Sequence, residues 1–83
     1  MTKEDVFGTL KKNIMEQLED EVDVNDISEN KSIIDLGANS LDIVEIISNT
    51  MRELEIKVPR EDLAKAGNIG SLVEIMAKYK NEN

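Results

Sequence analysis

Apolar residues return at helical spacing in several stretches of this chain, and the segments between are mostly polar. Val6, Leu10, Ile14 and Leu18 recur four apart, joined by Phe7 and Met15, which predicts a first helix with an inward stripe. Thr2 can cap that helix, and Glu4 and Asp5 fall in the turn where the helix dipole favours negative charge. The helix is expected to fray between Leu18 and Glu21. From about Asp20 to Asn39 the pattern reads as a long loop. Loops of that length usually carry function or their own packing. Val22, Val24, Ile27, Ile33, Ile34 and Leu36 are expected to pin it over the helices, with Asp26 to Asn30 forming a short helical turn.

A strongly periodic second helix is predicted from Ser40 to Leu54. At about 100° per residue, Ile43, Val44, Ile46, Ile47, Met51 and Leu54 gather on one broad face, with Thr50 inside that arc. Asp42, Glu45, Ser48, Asn49, Arg52 and Glu53 take the other face. Leu41 falls among them. Gly37 suits a sharp turn into this helix, and either Asn39 or Ser40 can cap it. Ser40 therefore sits at the positive end of a helix dipole with its hydroxyl near solvent. Pro59 blocks continuation after Glu55-Ile56-Lys57-Val58. Arg60 to Lys65 fits a short third helix, with Leu63 inward and Gly67 ending it. Ser71-Leu72-Val73-Glu74 reads as a capping box opening a last helix, whose Leu72, Val73, Ile75, Met76 and Tyr79 supply the closing stripe. Lys78 and Lys80 suit its end, and the tail Asn81-Glu82-Asn83 is expected to be loose. The fold class is all-α: a four-helix bundle of three main helices plus a short third helix, with a long loop between helices 1 and 2.

Composition narrows what such a bundle can do. At 83 residues the chain makes one small domain, residues 1–83, of modest stability. It has no cysteine and no histidine, so thiol nucleophiles, thiolate metal sites and the commonest general base are absent. A self-contained enzyme is not expected. The acids between Asp20 and Asp26 invite a calcium-loop reading, but no register gives the ligand spacing with its central glycine, so no metal site is expected. Ten basic against 18 acidic residues give a net charge of −8, which disfavours nucleic acid and anionic membranes and favours basic protein surfaces. No apolar run reaches spanning length and no secretory leader opens the sequence, so a cytoplasmic monomer is expected.

The stretch Asp35-Leu36-Gly37-Ala38-Asn39-Ser40-Leu41-Asp42, followed by Val44-Glu45-Ile46, resembles the modification site of acyl carrier proteins, whose usual core reads D-L-G-A-D-S-L-D-x-V-E. The likeness extends along the whole chain in the order of its helices. It implies that Ser40 carries 4′-phosphopantetheine, taken from coenzyme A, on a phosphodiester. The terminal thiol of that arm then holds an acyl group as a thioester. It also implies a protein that performs no chemistry alone. Its partners would be a phosphopantetheinyl transferase and acyl-processing enzymes with basic docking surfaces, such as an acyltransferase or ketosynthase. They would meet helix 2 through Leu41, Asp42, Glu45 and Arg52. Asn39 stands where the family most often has Asp, which removes a charge and keeps a capping side chain. Met51 and Arg52 stand where fatty-acid carriers, whose second helix is more acidic, tend to have acids, and Ser48 replaces an apolar contact. Asn39-Ser40 and Ala66-Gly67-Asn68-Ile69-Gly70-Ser71-Leu72-Val73 look more like free-standing carriers of polyketide clusters, some of which donate a β-branching unit. The alternatives are a fatty-acid carrier, or a helical interaction module that keeps the fold without the arm.

Overall fold

The computed structural model describes residues 2–82. Helix α1 spans Lys3–Leu18, α2 Ser40–Leu54, α3 Arg60–Leu63 and α4 Ile69–Glu82, with no strand among the described residues. Thr2 caps α1 in a reciprocal box: its hydroxyl accepts from the Asp5 N–H at 3.2 Å, and the Asp5 carboxylate accepts from the Thr2 N–H at 3.1 Å. The expected stripe of α1 lies inward. Val6, Leu10 and Ile14 are fully buried and meet Ile46 and Leu54 of α2 and Ile69, Val73 and Met76 of α4 in one core. Each such side chain stabilises by roughly 1.5–3 kcal/mol relative to an exposed one.

One polar pair crosses that core. Asn13, buried between Leu10 and Ile14, donates through Nδ2 to the Thr9 carbonyl at 3.1 Å and to Thr50 Oγ1 at 3.0 Å. Thr50 in turn donates to the Ile46 carbonyl at 2.7 Å. Buried amide and hydroxyl groups of this kind are costly unless matched, so the pair favours one register of α1 against α2. At the far end of α2, Lys80 of α4 donates to the Leu54 carbonyl at 2.8 Å, satisfying one of the open acceptors of the last turn. Tyr79 donates to the Asp62 carboxylate and ties α3 to α4.

The long connection holds three 3₁₀ turns, Glu19–Glu21, Val24–Asp26 and Ile34–Leu36, and a further turn at Glu29 and Asn30 in which the Lys31 N–H donates to the Ser28 carbonyl at 3.2 Å. The expected helical turn over Asp26 to Asn30 is displaced to Val24–Asp26, because Asp23 caps it there by accepting from the Asn25 N–H at 2.8 Å. Val22, Ile27, Ile33 and Leu36 are buried as expected, but Val24 and Ile34 are not anchors, at 44% and 67% exposed. In a 3₁₀ turn residues three apart share a side. Burying Ile33 and Leu36 together therefore leaves Ile34 outward.

Two further corrections concern α4. It begins at Ile69, so Ser71 is not its cap. Asn68 Oδ1 accepts from the Ser71 N–H at 2.8 Å, and Glu74 pairs with Lys3 at 3.2 Å instead of closing a box. The earlier start is set by Ile69, which is fully buried in the core. The helix also runs on through Glu82, so Asn81 and Glu82 are helical rather than loose; Asn83 lies outside the described residues.

Candidate functional site

The approach to α2 is built from two capping boxes in series. In the first, Ser32 bonds reciprocally to Asp35, the middle residue of the turn Ile34–Leu36: the Ser32 N–H donates to Asp35 Oδ2 at 3.0 Å and the Asp35 N–H to Ser32 Oγ at 3.1 Å. Gly37 then turns the chain at φ 98°, a left-handed angle with open space where a side chain would stand. The second box settles which residue caps α2. Asn39 does so, with its Oδ1 accepting from the Asp42 N–H at 2.9 Å and its N–H donating to Asp42 Oδ2 at 3.1 Å. Ser40 is thereby released from capping and becomes the first residue of the helix.

This arrangement leaves Ser40 chemically open. The residue is exposed, and among the described residues its hydroxyl has no hydrogen-bond partner. The N–H groups of Ser40 and Leu41 likewise find no acceptor there, as expected for the first turn of a helix. Free donors and the positive end of the dipole favour an anion on Ser40. Among the described residues no carboxylate bonds to the hydroxyl. The site thus fits a phosphodiester on Ser40 Oγ: the oxygen is accessible, the neighbouring donors suit phosphate, and Gly37 keeps the rim low.

The other residues expected at the site are divided by the fold. Leu41 is 77% exposed and Glu45 and Arg52 are exposed with it. Asp42 is half-buried on the flank toward α1, where Oδ1 accepts from Gln17 Nε2 at 3.0 Å. That bond first, and the Asn39 N–H second, hold its carboxyl below the ordinary value of 3.8. Val44, expected inside, is 59% exposed. It lies about 160° around the axis from fully buried Ile46, so the inward arc is narrower than the apolar pattern implied. Val44 joins Leu41 in an apolar surface beside Ser40. Sequence reasoning missed this, although residue-by-residue angles taken from Ile46 would have found it.

One turn beyond Ser40, an apolar crevice of about 210 Å³ opens between α2, α3 and the loop, lined by Ile34, Ile43, Ile47, Leu63 and Leu72 among others.

The family described as "Phosphopantetheine attachment site" matches residues 9–76 of the chain. The chain is 37% identical over 76 residues to a polyketide biosynthesis acyl-carrier-protein, AcpK, of Bacillus subtilis, covering 92% of each. It is 39% identical over 77 residues to an acyl carrier protein of Clostridium perfringens, covering 89% of this chain and 96% of the relative. An acyl carrier protein of Thermotoga maritima is 35% identical over 78 residues, covering 93% and 94%. The chain belongs to the acyl carrier protein family. Its cofactor is accordingly 4′-phosphopantetheine, and the chain is a carrier rather than a catalyst. No helix among the described residues of the carrier is long and apolar enough to cross a membrane.

Proposed function

We propose that the carrier bears its 4′-phosphopantetheine arm on Ser40 and presents acyl groups, held on the arm as thioesters, to partner enzymes. The observation that carries this is Ser40 itself: an exposed, unbonded hydroxyl at the first position of α2, with free N–H groups beside it. In the loading step Ser40 Oγ attacks the phosphorus of coenzyme A that bears the pantetheine. The diphosphate P–O bond breaks, adenosine 3′,5′-bisphosphate leaves, and the hydroxyl proton passes to a base of the phosphopantetheinyl transferase. When bound, the arm supplies a thiol that forms and exchanges thioesters.

Leu41, Val44 and Glu45 then lie within the first two turns beside the attachment point, and Arg52 lies about 18 Å further along the helix axis, on the face where an acyltransferase or ketosynthase docks. The crevice of about 210 Å³ is smaller than the roughly 300–1,000 Å³ of ordinary ligand pockets, so it suits a short apolar cargo and not a long one. Polyketide biosynthesis is the pathway we favour, with a β-branching donor as one such role. It rests on the Bacillus subtilis relative and on Met51 and Arg52 standing where fatty-acid carriers tend to have acids. The Clostridium perfringens relative, of similar identity, keeps fatty-acid synthesis as the second reading. We place the carrier in the cytoplasm as a monomer.

The test is intact mass measurement after incubation with a phosphopantetheinyl transferase and coenzyme A. One phosphopantetheine should be gained, at Ser40 by peptide mapping, and none by a folded Ser40→Ala variant. An unmodified wild type would leave the interaction-module reading standing, and modification of Ser40→Ala would move the arm elsewhere. Cargo read by mass from the native cell separates the two pathways.

A further inference from the structure

The charge of −8 is not concentrated where a docking enzyme would read it. At about 100° per residue, Val44, Ser48, Leu41, Arg52 and Glu45 share the outer arc of α2, opposite buried Ile46, Thr50 and Leu54. Leu41 and Val44 are 77% and 59% exposed. The acids of α2 are Asp42, Glu45 and Glu53, and the structure occupies two of them on the flank toward α1. Asp42 uses one oxygen for Gln17 and the other for the Asn39 N–H. Glu53 pairs with Lys12 at 2.8 Å. Glu45 has no partner among the described residues. Among the described residues the Arg52 guanidinium bonds only to the neutral side chain of Asn49, at 3.3 Å. The outer arc therefore presents two apolar side chains, one free carboxylate and one guanidinium. Its charges cancel.

We infer that the acyltransferase which loads this carrier, docked over Leu41, Val44 and Glu45, sets an acidic group against Arg52. The inference rests on the carrier reading above and deepens it by specifying the partner's surface. Glu45 and Arg52 are seven residues apart, about 10 Å along the axis. That is at or beyond the screening length of about 8 Å at physiological salt, so each charge is read by the group facing it. The acids elsewhere on the carrier steer any basic enzyme toward it from a distance. The arc then discriminates. A uniformly basic docking surface is attracted at Glu45 and repelled at Arg52, and a repulsive contact of this kind separates right partners from wrong ones. Lys could be read as a point charge, but Arg adds a planar fork that matches a carboxylate with two parallel hydrogen bonds.

The experiment uses the full chain, first converted with a phosphopantetheinyl transferase and coenzyme A. Each of the source organism's acyltransferases that load carriers from acyl-coenzyme A is purified and its KM and kcat measured for wild type, Arg52→Glu and Lys78→Glu. Lys78 is exposed on α4, so its variant makes the same change in net charge away from the arc. For the enzyme that loads wild type with the highest kcat/KM, Arg52→Glu should raise KM about tenfold with kcat little changed, while Lys78→Glu leaves both within about twofold. Equal thermal melts exclude a folding cause. A KM for that enzyme that falls or stays level with Arg52→Glu overturns the inference. Failure of the first conversion overturns the carrier reading itself, and this inference with it. Normal conversion followed by better loading of Arg52→Glu overturns the inference alone.

Discussion

Helix α2 starts at Ser40 behind the cap Asn39, and α4 starts at Ile69 behind the cap Asn68. Both caps are asparagines that accept from the N–H three residues on. What surrounds them differs. At α4 the long loop closes over the helix end: the Ile69 N–H donates to the Lys31 carbonyl at 2.8 Å and the Gly70 N–H to the Glu29 carbonyl at 2.9 Å. The residue in the first position, Ile69, is fully buried. At α2 the corresponding donors of Ser40 and Leu41 have no acceptor among the described residues, and both side chains are exposed. A helix start left with open donors can take an anion; one whose donors are spent on backbone carbonyls holds a loop in place. The loop sealed at α4 is the same loop that delivers Gly37 and Asn39 to α2, so the closed start supports the open one.

The largest effect that would test this contrast is on the side chains that follow the caps. Ile69→Ala should cost about 2–5 kcal/mol, because it empties a fully buried position. Leu41→Ala should change stability by less than about 0.5 kcal/mol. Urea or thermal melts of both variants decide it, and equal losses would show that the two starts are packed alike.

The glycines come next. A Cβ on Gly70 would stand 3.1 Å from Glu29 Cβ and 3.2 Å from the Glu29 carbonyl oxygen. Gly70→Ala should therefore cost about 1–3 kcal/mol by forcing the loop away. Its signature is faster amide exchange around residues 29–31. Gly37 meets nothing within 4 Å, so Gly37→Ala clashes with nothing and is penalised by its φ of 98° instead, by roughly 1–2 kcal/mol. Its exchange changes should stay near α2, and spread to residues 29–31 would contradict the account.

How far the two starts could be read in the sequence follows from the same contrast. Ser40–Leu54 was legible as a helix because its apolar spacing and its motif agree, and its interior needs no distant partner to be recognised. The start of α4 was misplaced because Asn68-x-x-Ser71 and Ser71-x-x-Glu74 overlap as capping patterns. Local chemistry does not choose between them; the core does, by taking Ile69. Asn13 was invisible for a similar reason. A polar residue in an apolar stripe has meaning only once Thr50 is seen across from it. The Ser32–Asp35 box was legible in principle, having the right spacing, but lay inside a stretch read as loop. In it the Asp35 carboxylate holds the turn before Gly37 through Ser32.

Removing the caps gives a smaller effect that is alike at both ends. Asn39→Ala and Asn68→Ala should each cost about 1 kcal/mol in equilibrium melts. Asn39→Asp should retain most of the stability, since a carboxylate accepts the same bond and suits the dipole. A loss from Asn39→Asp as large as that from Asn39→Ala would show that the amide, rather than the acceptor oxygen, is what this position requires.

Acid should separate the two starts without any substitution. The carboxyl of Asp35 is held below the ordinary 3.8 by the Ser32 N–H first and the Ser32 hydroxyl second, and that of Asp42 by Gln17 first and the Asn39 N–H second. Both are lowered in the folded protein. Their contribution is therefore present in full above the ordinary value and is withdrawn as the pH falls through 3.8 and then through the lower folded values. The α4 start depends on Asn68 and two loop carbonyls, none of which titrates. At milder acidity, protonation of unpaired carboxylates relieves the self-repulsion of a chain at −8, so overall stability should hold or rise before it falls. Hydrogen exchange compared at pH 5 and pH 3 then has a clear expectation. Amides from Asp42 to Ile46 should lose protection first, while those from Val73 to Ala77 keep theirs until the whole chain unfolds. Loss of protection at both starts together, at the same pH, would mean that the boxes at Asp35 and Asp42 do not hold the approach to Ser40 separately from the rest of the bundle.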